Sequence, residues 1–487
     1  MRLATLLVLW MLFAAALPAR TTEAPGSSAT SAEDEIARIV GHSFTGNGAM
    51  EFLEALTDGI GGRITGSPGS RAAAELILKE LKGAGFDNAH SEEYKLASVW
   101  EHGAATGEVV SPVERRLIVG SYGWVPGTSG PIEVPVTDYG LATADPAPPL
   151  DRFKGSAVIV DLRSSGLSTA YVGIRAVLAR RLASAGAAAM FIVSDKPDRM
   201  VYTSAFGFYP RAPLPVLSIA SEDAAFLRRL LAKGQVKIRL DVQNSFAASP
   251  GMERNVVADL PGDDTREMVL LTAHFDDWDP AQGANDNGAG VAVVLEAARI
   301  FKRLGIRPKH TIRFVFFSGE EQLSNGSRAY IDRHQAELDS IRAVFNIDCG
   351  AHPPLGFKIH GRTDLEQPSR KLLEPLAALG AGRISLEADF DSDQETFIVA
   401  GVPIYSLYVE PQDYDARHHT IIDTFERVDP MMVKLETAVM AVAAYSLANA
   451  DKRPGPRINP AEVQELLKRT GLLPLYKLEY ADENSRP

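Results

Sequence analysis

At 487 residues the chain is longer than one ordinary hydrophobic core organises, so two or three domains are expected. A formal net charge of −12, with no long run of like charge, argues against nucleic acid and against an anionic membrane surface as partners. The single cysteine, Cys349, excludes an internal disulfide and is read as a small buried apolar residue rather than a nucleophile or metal thiolate.

Arg2, an apolar run over 3–17, and the small residues Ala14, Ala15, Ala16 and Ala19 read as a secretory signal over 1–20. The run is short for a bilayer span, which needs about 20 residues. The expectation is an exported protein, periplasmic or extracellular, with no stable membrane anchor after cleavage. Residues 21–32, rich in Ser, Thr, Ala and Pro, suit a disordered mature N-terminus. Over 33–100 the pattern is helical: Ile36, Ile39 and Val40 share a face, as do Phe52, Leu53, Leu56 and Ile60. A Gly-rich loop at 61–69 precedes a helix over 71–82, ended by Gly83 and Gly85.

Residues 101–248 change character, with short β-like runs at 157–160, 188–193, 214–219 and 236–240, and helices at 174–185 and 224–231. They predict a compact insert with its own small sheet. It has no histidine after His102, which makes it a poor source of metal ligands. From 249 to 452, strands at 256–260, 268–273, 311–317, 343–347 and 404–409 alternate with helices at 288–302, 327–336, 369–379 and 430–447. That alternation predicts an α/β domain with a mixed, mostly parallel sheet and helices on both faces. Residues 453–487 form a C-terminal extension.

Three of the strands run into residues that bind metals: His274, the pair Glu320 and Glu321, and Asp348. Ligands of open α/β sheets bind outside the carboxyl ends of the strands, so these side chains should share one pocket, joined by Asp286 and His419. Imidazole and carboxylate together suit zinc, with manganese or cobalt as substitutes. Asp286, at the loop that opens a helix, can bridge two ions with its two oxygens. Two ions about 3.5–4 Å apart lower the pKa of a shared water and polarise a carbonyl. Adjacent residues on an extended segment point to opposite sides, so one of Glu320 and Glu321 binds metal while the other faces the water as general base. Asp276 can hydrogen-bond the His274 ring. One of His418 and His419 is expected to ligate. His42, His90, His102, His310, His334, His352 and His360 lack this context and read as surface or structural residues.

Four motifs carry a resemblance. They are His274-Phe275-Asp276-Asp277-Trp278-Asp279 with Gln282-Gly283-Ala284-Asn285-Asp286-Asn287-Gly288; Ser318-Gly319-Glu320-Glu321-Gln322; Asn346-Ile347-Asp348; and His418-His419-Thr420 with Asp423-Thr424. With Gly61-Gly62-Arg63-Ile64-Thr65-Gly66-Ser67 and Trp100-Glu101-His102-Gly103, the chain resembles the co-catalytic di-zinc aminopeptidase family in its carboxypeptidase Q-like (plasma glutamate carboxypeptidase-like) branch. The insert is similar to a protease-associated domain through Lys154-Gly155 and Gly186-Ala187-Ala188-Ala189.

The resemblance implies two Zn2+ per chain, one held by His274, Asp286 and Asp348, the other by Asp286, Glu321 and His419. It implies Glu320 as general base, Asp276 as the partner of His274, Asp393 near the substrate, and Tyr414 as an oxyanion donor. The implied activity is hydrolysis of dipeptides or short peptides with a free N-terminus, with a homodimer as an option. A broader aminopeptidase is the alternative, and a metal-free binding protein on the same architecture a further one. Asp277 stands where a small hydroxyl residue is common, adding negative charge beside the metals.

Overall fold

The computed structural model describes residues 31–162, 168–206, 211–278, 281–410 and 412–480. The signal expected at 1–20 and nearly all of the 21–32 segment lie outside the described residues, as does Asp279 of the first motif.

An eight-stranded sheet organises the peptidase-like half, in the order His90–Leu96, Gly251–Leu260, His310–Phe317, Asp264–His274, Ile341–Asn346, Ile404–Val409, Pro354–Lys358, Arg383–Ser385. The Asp264–His274 strand is central and parallel to both neighbours. Every residue from 268 to 274 is buried, because helices cover both faces and leave no polar side to alternate with. Ile404–Val409 extends the parallel set. The flanks are antiparallel: Gly251–Leu260 pairs with His90–Leu96 and His310–Phe317, and Pro354–Lys358 pairs with Ile404–Val409. The sheet is thus mixed, as expected. The strands His90–Leu96 and Arg383–Ser385 at its two edges were not expected from sequence; an edge strand is solvated on one side, and polar runs such as HSEEYKL carry little β signal.

One face of the sheet packs against Ala289–Leu304, Pro430–Asn449 and the N-terminal helices Ala32–Thr45, Gly48–Thr57 and Pro68–Gly83. Pro68–Gly83 shows why these segments are helical. Ser67 caps it by accepting from the Ser70 amide, Pro68 occupies the first turn, and Ala73, Ala74, Ile77 and Leu81 bury one stripe. Pro430–Asn449 is long and apolar enough to cross a membrane by length and composition, but 72% of its apolar window is buried inside the protein, where it is a core helix. The opposite face packs against Asn325–Arg333, Gln394–Val399 and the C-terminal helices Pro460–Thr470 and Leu473–Glu479, through Val463, Leu466, Leu467 and Leu472. The single helix expected at 369–379 is instead a helix Thr363–Leu372 followed by a tighter turn Glu374–Leu379. Pro375 has no N–H to continue the α-helical ladder.

The insert holds a second eight-stranded sheet, ordered Arg115–Leu117, Ala105–Ser111, Lys237–Val242, Ile132–Leu141, Ala157–Asp161, Ala189–Val193, Val216–Ile219, Val119–Ser121. Its middle strands are parallel and fully buried. Trp100–Glu101 and Ser245–Phe246 pair side by side, so the chain enters and leaves this unit at one place.

Candidate metal centre

Strand order brings the motif residues together. His274 ends the central strand, Glu320 and Glu321 follow the neighbouring His310–Phe317, and Asp348 follows Ile341–Asn346 on the other side. His274 Nε2 lies 3.4 Å from Asp286 Oδ1, 3.3 Å from Asp348 Oδ1 and 3.9 Å from Glu320 Oε2. The other Asp286 oxygen, Oδ2, lies 3.2 Å from His419 Nε2 and 3.4 Å from His418 Nε2. His419 Nε2 is also 3.0 Å from Glu321 Oε2. Two groups of donors are each small enough to hold a metal ion: Asp286 with His418 and His419, and His274 with Glu320 and Asp348; the 3.4 Å contact of His274 with Asp286 joins them.

Their electrostatics are those of charges crowded out of water. Burial works against a charge on the His274 ring, but Asp348 and Glu320 outweigh it and hold the ring well above the ordinary histidine range. Burial likewise pushes Glu320 well above the carboxylate range, with Asp348 and Glu321 adding to it, and Glu321 up to about 8. A cation seated among them would reverse both shifts. His274 Nε2, Asp286 Oδ2, Glu321 Oε1 and Asp348 Oδ1 are buried without a hydrogen-bond partner among the described residues. Buried polar atoms normally find partners, so four orphans within these two donor groups fit a metal-binding role.

Asp276 stands beside the His274 ring and also serves the neighbouring turn. The His274 Nδ1 hydrogen bond goes to its main-chain carbonyl, at 3.1 Å, while the carboxylate stands 3.6 Å off. The carboxylate is occupied elsewhere: it accepts from Thr65 Oγ1 at 2.6 Å and from the amides of Glu320 and Glu321 at 3.2 and 3.3 Å. It fixes the turn that presents both glutamates. Gly319 makes that turn possible, with φ +77° and a position where a Cβ would stand 2.6 Å from the Tyr94 hydroxyl.

Asp277 does not add free charge beside the metals. It forms an ion pair with Arg63 at 2.8 Å, both side chains fully buried, and accepts the Arg63 amide at 2.6 Å. The Arg63 guanidinium also donates to the carbonyls of Phe275, Gln282 and Gly283 at 2.7, 2.7 and 2.9 Å. It ties the His274 loop to the Asp286 loop. Asp423 clamps the latter from the other side, accepting from the Asn285 amide at 2.7 Å and the Asp286 amide at 3.0 Å. Burial pushes Asp423 up to about 6.

A cavity of about 760 Å³ opens over the cluster, lined by Asp286, Glu320, Glu321, Asp348, His418 and His419 below. The insert roofs it with Tyr122, Arg175, Lys196 and Tyr202, and the C-terminal extension adds Glu479; none of the lining residues comes from the N-terminal helices. Tyr414 lines it too, stacked on His418 at 5.2 Å between ring centres. Burial, with Asp286 and Asp348 nearby, raises the Tyr414 hydroxyl well above its usual range and keeps it a donor. Asp393 is not on the wall. It is fully buried, and Asp391 and Glu395 line the cavity in its place. Asp393 itself stands at the N-cap position of the Gln394–Val399 helix, between cavity residues on either side of it. Burial pushes Asp393 up to about 7.

The insert reaches the cluster directly, which its lack of histidine had hidden. The Tyr202 hydroxyl lies 3.2 Å from His419 Nδ1, its ring stacks on His419 at 5.3 Å, and the Thr203 amide donates to the His419 carbonyl at 3.0 Å. Tyr202 is 217 positions from His419, beyond any local pattern. Arg63, Thr65 and Asp423 did stand inside recognised motifs, but their contacts were not legible there.

A mixed α/β sheet with overlapping imidazole and carboxylate donors at its carboxyl edge defines a metal-dependent hydrolase. Comparison with known proteins narrows this. Residues 255–444 match Peptidase family M28. Carboxypeptidase Q of Xenopus laevis is 29% identical over 423 residues, covering 84% of this chain and 88% of that protein. The probable lipoprotein aminopeptidase LpqL of Mycobacterium tuberculosis is 28% identical over 429 residues, covering 79% and 80%. The crystal structure of a Peptidase M28 precursor from Shewanella amazonensis SB2B superposes with a TM-score of 0.79 at 25% identity, over 88% of this chain and 99% of that one. BSAP, a zinc aminopeptidase from Bacillus subtilis, shares the fold, with a TM-score of 0.65 at 21% identity over 85% and 98%. The chain is similar to peptidase family M28 over residues 255–444 and to carboxypeptidase Q over most of its length, and it is a metallopeptidase.

Proposed function

We propose that this chain is an exported di-zinc exopeptidase that cleaves dipeptides or short peptides from a free N-terminus. The observation that carries the reading is Asp286, whose two oxygens face two different histidines under a roofed cavity. One zinc is assigned to His274, Asp286 and Asp348, the other to Asp286, Glu321 and His419. His419 is preferred over His418 because it also meets Glu321, and because the Tyr202 hydroxyl orients its far nitrogen. His418 stacks on Tyr414 and stands 3.4 Å from Asp286 Oδ2, with no contact to Glu321 among the described residues; burial and His419 hold its ring well below the histidine range. Bound zinc would activate a water and polarise the scissile carbonyl.

Glu320 takes a proton from the attacking water on its carboxylate and hands it to the leaving amine nitrogen. Asp276 holds the Glu320 amide in place for this. The Tyr414 hydroxyl donates toward the oxygen on which charge develops. The substrate's free ammonium is assigned to the acidic wall at Asp391, since the Glu395 carboxylate is taken up by Arg328 at 2.8 Å. The roof admits a chain end and excludes the middle of a folded chain.

The test is a peptide-library digest with products identified by mass, run with and without a chelator, alongside metal analysis of the purified protein. The expected result is about two zinc per chain and single-residue trimming that stops on chelation. N-acetylation of a dipeptide should lower kcat/KM at least about tenfold, since a buried charge-assisted hydrogen bond is worth about 1.5–3 kcal/mol. Efficient cutting inside a long peptide, or equal cleavage of acetylated and free peptides, would refute it.

A further inference from the structure

The roof of the cavity differs in charge from its floor. Lys196 and Arg175 both line it, and both are deeply buried, at 9% and 3% exposed. Neither has a carboxylate within ion-pair distance among the described residues, and the side chain of Lys196 has only a main-chain carbonyl as its hydrogen-bond partner there. Lys196 Nζ donates to the Asp415 carbonyl; Arg175 donates to those of Phe206 and Ala205 and also meets Tyr122, its guanidinium 4.6 Å above that ring. Asp195 and Asp415 line the same cavity, but their side chains are exposed to solvent. A buried cation is ordinarily paired. An ammonium has three donors, and one carbonyl leaves two of them open.

Lys196 also stands close to the metal cluster. Its Nζ lies 5.3 Å from the centre of the Tyr202 ring, and that ring stacks on His419 at 5.3 Å. The ammonium is thus separated from a proposed zinc ligand by one aromatic ring. In a dipeptide the terminal carboxylate lies a single residue, about 3.8 Å of chain, beyond the scissile bond.

We propose that Lys196 binds the free C-terminal carboxylate of the substrate, with Arg175 adding positive potential behind it, so that the cavity reads both ends of a dipeptide. This rests on the peptidase reading above and gives it a substrate length: the insert supplies the carboxylate-binding roof, and the metal domain supplies the chemistry. Longer peptides would lose the contact, because their carboxylate falls elsewhere.

The experiment compares leucyl-alanine, leucyl-alaninamide and leucyl-alanyl-alanine as substrates of the zinc-loaded protein. The wild type should favour the free acid over the amide by at least about tenfold in kcat/KM, as for loss of a charge-assisted hydrogen bond. Lys196→Met should bring the acid-to-amide ratio close to one, and Lys196→Arg should keep most of the preference. A purely structural role, anchoring the Asp415 loop, would lower acid and amide in proportion and leave the ratio intact; that result would overturn the proposal. So would a wild type that treats acid and amide alike while cleaving both, an outcome that leaves the peptidase reading standing. If none of the three is cleaved, the substrate reading itself fails and this inference fails with it. Should Lys196→Met not fold, the wild-type ratio and the Lys196→Arg variant still decide.

Discussion

Replacing Arg63 by Met tests the claim that a buried ion pair joins the two metal-bearing loops. The guanidinium meets Asp277 at 2.8 Å with both side chains shielded from solvent, and it serves the carbonyls of Phe275, Gln282 and Gly283. Methionine keeps much of the volume and removes all of these donors. Breaking one side of a buried pair costs about 3–5 kcal/mol, because the remaining charge is left without compensation. A domain has about 5–15 kcal/mol in total, so the variant should unfold at much lower urea. It should also bind zinc more weakly, since the loops carrying His274 and Asp286 lose their tie. Removing both charges, as Arg63→Met with Asp277→Leu, should recover part of the stability, because an apolar pair carries no desolvation penalty. Recovery should be incomplete, as Asp277 also accepts the Arg63 amide. The assay is urea unfolding followed by fluorescence, with zinc content measured on the same samples. A single variant within about 1 kcal/mol of wild type, with zinc unchanged, would refute the argument; 1 kcal/mol is the scale of one ordinary hydrogen bond.

Glu320→Gln should cut kcat by at least about 10² while zinc stays bound; loss of zinc together with activity would make Glu320 a ligand instead. Asp286→Asn removes charge that both donor clusters share, so zinc should fall at both sites, and two ions retained per chain would contradict the bridge. His334→Ala is the control: its ring bonds Glu92 and Glu337, away from the cavity, so zinc content and rate should not change. Tyr202→Phe deletes one hydroxyl on the insert and should weaken zinc affinity by about 10–100-fold at the His419 site, as for other groups that orient a ligand; titration showing both sites unaffected would mean the contact is incidental.

The clustering of the candidate metal ligands was legible in the sequence. His274, Glu320, Glu321 and Asp348 each follow an apolar run, and strand ends in a parallel sheet are brought level by the hydrogen-bond ladder, so their meeting could be read without coordinates. The core strands and amphipathic helices were legible for the same reason: burial on two faces or one stripe leaves a periodic trace. Edge strands such as His90–Leu96 left none, because solvent on one side permits polar residues throughout. What Asp276, Asp277 and Asp393 touch depended on side-chain direction within turns, and a one-residue difference there separates the cavity wall from the interior. The roof was decided only by tertiary structure. Lys196, Arg175 and Tyr202 lie in a segment with no histidine after His102, and they acquire meaning when two separately cored sheets dock across His419. Contacts between distant parts of a chain depend on how the sheets are placed against each other, which no local periodicity encodes.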